Sequence, residues 1–199
     1  GDMLAYLQYT SGSTSKPKGV MVSHANLMCN LRHLESSCSL SPESVMVSWL
    51  PVFHDMGLVF GLLTSAFSGG RCIFMASATF AQRPLRWLKA ISDYRATHSA
   101  APNFAYDLCV DMITDSDRYA LDLSSWFFAA NAAEPVRVET IHRFNRAFAP
   151  CGFVPSAFSP SYGLAEAVLV VTCAFPESEN VFYTVDAESL KKNQVLEVE

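Results

Sequence analysis

Short runs of β-forming residues alternate with helical stretches from residue 4 to residue 170, and polar or glycine-bearing loops separate them. Leu4-Ala5-Tyr6-Leu7, Val20-Met21-Val22, Val45-Met46-Val47-Ser48-Trp49-Leu50, Arg71-Cys72-Ile73-Phe74-Met75 and Trp126-Phe127-Phe128-Ala129-Ala130 read as strands. Residues 25–34, 56–67, 84–94 and 138–148 read as helices, with Ser23 as a cap for the first and Leu27, Leu31 and Leu34 on one face of it. Such alternation predicts an α/β fold, a mostly parallel sheet flanked by helices. Ligands in these sheets sit beyond the carboxyl ends of strands, so the segments that follow strands are the ones to inspect.

The first such segment is Tyr9-Thr10-Ser11-Gly12-Ser13-Thr14-Ser15-Lys16-Pro17-Lys18-Gly19, set between two apolar runs. Hydroxyls, backbone N–H groups at glycines and ammonium groups are the partners a polyphosphate needs. A flexible Ser/Gly linker shares this composition, but it has no need of Lys16 and Lys18 around Pro17. The P-loop pattern G-x-x-x-x-G-K-S/T fails, because Pro17 stands where Gly12 would require the second glycine. On residue chemistry alone, a phosphate cradle and a structural loop both stay open.

A chain of 199 residues can bury about 70% of its unfolded surface as one domain. Only 17% of it is charged, against about 25% in an average soluble domain. That shortage points to a large core or to surface covered by something outside the chain. The net charge of −5 argues against a general nucleic-acid binder, which shows a basic face. It also denies a polyanion any overall steering, so local donors must hold it. One lysine 4 Å from a phosphate is worth about 1 kcal/mol in water and about 4 kcal/mol at a dielectric near 20. The six cysteines (29, 38, 72, 109, 151 and 173) include no C-x-x-C pair, and the loosely spaced Cys29, His33 and Cys38 are only weak evidence for a zinc site. They predict buried thiols in a reducing, cytoplasmic setting. The apolar runs around residues 57–67 and 167–175 fall short of the roughly 18 residues of a membrane span.

Three later segments carry chemistry. His54-Asp55, at the end of the third strand, invites an acid–base reading, but Asp55 equally suits a helix cap, and neighbours on a strand face opposite ways. Small residues at Asn131-Ala132-Ala133-Glu134, before a helix expected to begin at Pro135, let a flat ring approach backbone. Phe158-Ser159-Pro160-Ser161-Tyr162-Gly163-Leu164-Ala165-Glu166-Ala167 is the third. A serine-hydrolase elbow centred on Ser161 is disfavoured, because Ser159 replaces its first glycine and no His or Asp lies at a suitable spacing. Tyr162 offers a flat amphipathic ring, and Glu166 a hard oxygen donor for Mg²⁺ or simply an acid at a helix start.

These segments together resemble the adenylate-forming superfamily of acyl-CoA synthetases, luciferases and peptide-synthetase adenylation domains, and within it the fatty acyl-AMP ligases. Residues 9–19 resemble its phosphate-binding motif, and Leu50-Pro51-Val52-Phe53-His54-Asp55-Met56-Gly57-Leu58 resembles the ligases' "LPxxHDMGL". Residues 99–106, with Phe104 and Tyr106, resemble "SxAPNFAY" along the acyl tunnel, although singly these two aromatics are more often core. Residues 131–136 resemble the "NGAEPV" adenine segment, and residues 160–167 resemble "PSYGLAEA".

The resemblance implies ATP and Mg²⁺ as cofactors, a fatty acid substrate, and an acyl carrier protein or polyketide synthase domain as partner, with no nucleic acid. It implies Thr10, Ser11, Gly12, Ser13, Thr14 and Lys18 around phosphates, and Ala133, Glu134, Ser161, Tyr162 and Gly163 around the adenosine. Glu166 would hold the metal and His54 would position the substrate. Ala132 stands where the family usually has glycine, which matters only if its backbone φ is positive. Residues 1–176 would be part of the large N-terminal domain. The acidic tail 177–199, with a strand over 181–185 and a helical turn over 186–190, would open the ligases' insertion or be a polar tail. The family's ribose-binding aspartate and its small C-terminal domain, with the catalytic lysine, would lie outside this sequence, so the chain alone is expected to be inactive.

Overall fold

A computed structural model describes residues 1–10, 18–176 and 178–198. Strands β1 (Leu4–Thr10) and β2 (Lys18–Ser23) form an antiparallel hairpin. Its last pair is Thr10 with Lys18, so two of the predicted phosphate partners face each other at the hairpin's tip. Ser11, Gly12, Ser13 and Thr14 lie outside the described residues.

Helix α1 (His24–Ser37) starts as its sequence predicts. Ser23 Oγ accepts from Asn26 N at 3.1 Å, and Ser23 N donates to Asn26 Oδ1 at 3.1 Å. This reciprocal cap satisfies two of the orphan donors at the helix start. Leu31 and Leu34 are buried, as the stripe requires.

Strand β3 (Val45–Ser48) leads through a turn to residues 56–63, where one continuous α-helix was predicted. Instead a π-helix, Met56–Leu63, precedes a short α2 (Thr64–Ser68). A Cβ at Gly57 would lie 2.2 Å from Pro51 O, so the helix presses directly on the preceding backbone. At the far end Thr64 sends both its N–H and its hydroxyl (2.6 Å) to Val59 O, five residues back. Gly69, at φ 76°, then ends α2 in the left-handed region.

The chain continues through β4 (Arg71–Phe74), α3 (Ser77–Gln82), α4 (Leu85–Asp93), β5 (His98–Ala101), α5 (Asn103–Met112) and the single turn α6 (Asp115–Arg118). Next come β6 (Phe128–Asn131), α7 (Val138–Phe148), β7 (Phe158–Gly163) and β8 (Val170–Cys173). Helix α7 begins at Val138 and not at Pro135. Asn103 holds the intervening chain: its Nδ2 donates to Pro135 O at 2.9 Å, and its Oδ1 accepts from Arg137 N at 3.0 Å.

The main sheet has the order β4-β3-β5-β6-β7-β8, parallel except for the β7–β8 pair. The predicted α/β architecture is therefore the observed one. The chain leaves β3 on one side for β4 and returns on the other for β5. The connections that leave β3 and β5 run to opposite sides there, which is the topological position that favours a ligand crevice.

Two cores hold the sheet. Trp87, Trp126, Tyr106, Phe144 and Phe158 pack with α4, α5 and α7 on one face. Leu31, Leu34, Met56, Val59, Phe60 and Phe128 pack under α1 and the π-helix on the other. Each such buried side chain contributes about 1.5–3 kcal/mol.

In the tail, the strand predicted over 181–185 is reduced to one antiparallel bridge between Val185 and Glu197. The helical turn is present as α8 (Ala187–Leu190), capped by Asp186. No helix among the described residues is long and apolar enough to cross a membrane.

Candidate functional site

A cleft of about 640 Å³ opens at the carboxyl ends of the parallel strands. Thr10 and Lys18 reach it from the hairpin, His54 from the segment after β3, Ala133 from the segment after β6, Ser161, Tyr162 and Gly163 from β7, and Glu166 from the following turn. Residues remote in sequence thus share one rim. Glu134 does not join them. Its Oε1 accepts from Phe104 N at 3.4 Å, and its Oε2 lies 3.6 Å from Arg137, so it caps α5. Tyr106 is core, with its hydroxyl on Ala130 O at 2.8 Å, and Phe104 packs edge-on to Trp49 outside the cleft.

His54 and Asp55 cooperate, because they sit in the turn at the start of the π-helix and not on a strand. Asp55 Oδ1 lies 2.8 Å from His54 Nδ1 and accepts from Met56 N at 2.6 Å, so one carboxylate caps the helix and holds the imidazole. The Asp55 hydrogen bond raises the His54 pKa above its usual range, against a partial opposing effect of burial, and the Asp55 charge adds to the rise. Gln8 Nε2 donates to Phe53 O at 3.0 Å, tying the β1–β2 hairpin to this turn. Gln8 and Asp55 both line the cleft. Gln8 carried no sequence signal of its own, whereas Asp55 takes the helix-cap role that its position suggests while also holding His54.

On β7, Ser161 Oγ donates to Ser159 O at 3.0 Å from an extended backbone, which does not fit a nucleophile elbow. Tyr162 leaves 59% of its surface exposed, a ring open to stacking. The strand turns back at Gly163, where a Cβ would meet Leu169 O at 2.0 Å, so only glycine fits. After β6 the residue with positive φ is Ala133, at 73°. Ala132 is not among the positive-φ residues, so its methyl group is free of the strain that a lost glycine would cause.

Glu166 stands exposed at the rim. Among the described residues no group of three His, Cys, Asp or Glu side chains is placed to hold a metal by itself. A single rim carboxylate beside Thr10 and Lys18 fits Mg²⁺, which takes one or two carboxylates and completes its shell with water and phosphate oxygens.

Inward the lining changes character: Met56, Phe60, Ala100, Phe128 and Val170 are apolar and belong to the core under α1. The cleft therefore pairs a polar, partly cationic rim with an apolar interior. It suits an amphipathic acid brought against a polyphosphate.

Comparison with known proteins agrees with this geometry. The chain is 48% identical over 197 residues to the medium-chain-fatty-acid–acyl-carrier-protein ligase JamA of Moorena producens, covering 99% of this chain and 33% of JamA. It is 40% identical over 191 residues to the long-chain-fatty-acid–AMP ligase FadD26 of Mycobacterium marinum, covering 94% of this chain and 33% of that protein. The crystal structure of a fatty acyl-adenylate ligase from L. pneumophila, in complex with acyl adenylate and pyrophosphate, superposes with a TM-score of 0.94 at 48% identity. That match covers 98% of this chain and 35% of the solved one. The chain thus spans about a third of the length of these relatives. The family model described as AMP-binding enzyme matches residues 1–190, and the chain belongs to that family.

Proposed function

We propose that the protein activates a fatty acid with ATP, giving fatty acyl-AMP and pyrophosphate, and that the acyl group then passes to a carrier-protein thiol. The observation that carries this reading is the two-sided cleft, with Lys18 and Thr10 at its rim and Met56, Phe60 and Phe128 inside. A carboxylate oxygen attacks the α-phosphorus, the P–O bond to pyrophosphate breaks, and pyrophosphate leaves with the electron pair. No covalent bond to the protein is required, so the residues act by positioning and by charge stabilisation.

In this reading Lys18 and Thr10, with Ser11, Gly12, Ser13 and Thr14 by their chemistry, hold the phosphates. Tyr162 stacks on the adenine between Ala133 and the Ser161–Gly163 backbone. His54, biased toward its charged form by Asp55, draws the fatty carboxylate to the rim. Glu166 would hold Mg²⁺, which neutralises phosphate charge when bound. Residues after 176 would begin the insertion that disfavours transfer to CoA.

The test is fatty-acid-dependent exchange of labelled pyrophosphate into ATP by the full-length protein. Exchange with decanoate, lost in Lys18→Ala and Glu166→Ala, supports the reading. Exchange that ignores fatty acid would refute it.

A further inference from the structure

Between β7 and β8 the chain makes one turn of 3₁₀ helix, Ala165–Ala167, with Glu166 at its middle. Leu164 N donates to Leu169 O at 2.9 Å, Ala167 N to Leu164 O at 3.0 Å and Val168 N to Ala165 O at 2.9 Å. The turn ends at Val168, whose φ is 73° and ψ −54°. That is the geometry of the rare, strained form of γ-turn, and a β-branched residue is a genuine outlier there. Such strain persists only where the surrounding structure holds it, and it gathers at functional sites. Val168 is itself buried, in the core under α1.

The holding group is Asn30, midway along α1 and buried. Its Nδ2 donates to Val170 O at 3.0 Å, and Val170 N donates to its Oδ1 at 3.4 Å. The side-chain amide therefore pairs with Val170 as a residue of a neighbouring strand would. Nδ2 also donates to Ala167 O at 3.1 Å. Asn30 thus grips the backbone on both sides of Val168, and both hydrogens of its amide are used. The position of the turn matters for the site. Glu166 lines the cleft with Thr10 and Lys18, and it also lines a second groove of about 400 Å³, shared with Val22, Asn26 and Asn30. The turn is the partition between the two.

We infer that Asn30 is a positioning residue: by bracing the strained Val168 it fixes the Ala165–Ala167 turn and keeps Glu166 at the cleft rim. This rests on the role given to Glu166 above. Without the brace the backbone at Val168 relaxes, and the carboxylate moves with it.

The experiment compares full-length wild type with Asn30→Ala, which removes the brace, and Asn30→Asp, which keeps its size but turns an oxygen toward the two carbonyls. Amide hydrogen exchange without ligands reads the turn itself. Peptides covering residues 164–170 are expected to exchange about tenfold faster in the variants, while those covering β3 and β5 keep the wild-type rate. In fatty-acid-dependent pyrophosphate exchange, the Mg²⁺ concentration for half-maximal rate should rise about tenfold, with KM for decanoate changed by less than about twofold. A merely structural defect would lower the rate at every Mg²⁺ concentration and leave that midpoint in place. Wild type alone supplies a further check, should neither variant fold. The Val170 amide, whose acceptor is Asn30 Oδ1, is expected among the slowly exchanging ones, and exchange at the rate of an exposed loop would refute the brace. A wild type that adenylates no fatty acid would sink the activation reading. Adenylation with an unmoved Mg²⁺ midpoint, or unchanged hydrogen exchange over 164–170 in a folded variant, would overturn the role of Asn30.

Discussion

Asp55 Oδ1 lies 2.8 Å from His54 Nδ1 while accepting the N–H of Met56, so the same oxygen starts a helix and raises the pKa of the imidazole at the cleft rim. Asp55→Asn keeps the shape and removes the charge. The His54 pKa should then fall toward its ordinary value, seen by NMR titration of the ring. Because a raised pKa keeps the imidazolium charged to higher pH, KM for fatty acid should rise as pH passes through it. In the variant that rise should come at lower pH. The effect on KM at neutral pH should be about three- to tenfold, kept small by screening at a half-exposed ring. Superimposable pH profiles would mean that Asp55 only caps the helix.

Gly163 and Leu169 fix the turn that presents both Tyr162 and Glu166. A methyl group at Gly163 would stand 2.0 Å from Leu169 O, the carbonyl that also receives Leu164 N at 2.9 Å. Gly163→Ala should cost about 1–3 kcal/mol by urea denaturation. It should also cost more in adenylation than in stability, since the rim residues move with the turn. A variant with wild-type activity and unfolding midpoint would show that the turn relaxes freely.

His98 is buried between Thr97 Oγ1 at 2.7 Å and Cys38 O at 2.9 Å. Burial lowers its pKa from 6.5 to about 4, against a smaller opposing effect of the Cys38 carbonyl. The unfolded chain therefore binds a proton that the folded one refuses. The stability so gained is present above pH 6.5 and lost as pH falls toward 4, up to about 3 kcal/mol. In His98→Gln the pH dependence over that window should flatten by this amount, measured by denaturation at several pH values. Parallel curves for the two proteins would contradict the assignment.

Elements governed by local chemistry were legible from residue order. Ser23 caps α1 and apolar runs mark the strands. Features set by distant partners were not. Nothing near Pro135 announces that Asn103 will hold residues 135–137 extended, and nothing in residues 56–67 shows that Gly57 will press on Pro51. In the candidate site the rim residues were legible through their motifs, except Glu134, whose carboxylate is diverted to α5. The docking of α1 on β8 escaped because nothing around Asn30 in the sequence announces that it will bond Ala167 O and Val170 O.

The most direct measurement incubates the full-length protein with ATP, Mg²⁺ and decanoate, with and without CoA, and identifies the products by mass spectrometry beside a Lys18→Ala control. Decanoyl-AMP is expected to accumulate even when CoA is present and to disappear in the control. Efficient conversion to decanoyl-CoA would contradict the carrier-protein destination, and the absence of any adenylate would contradict acid activation itself.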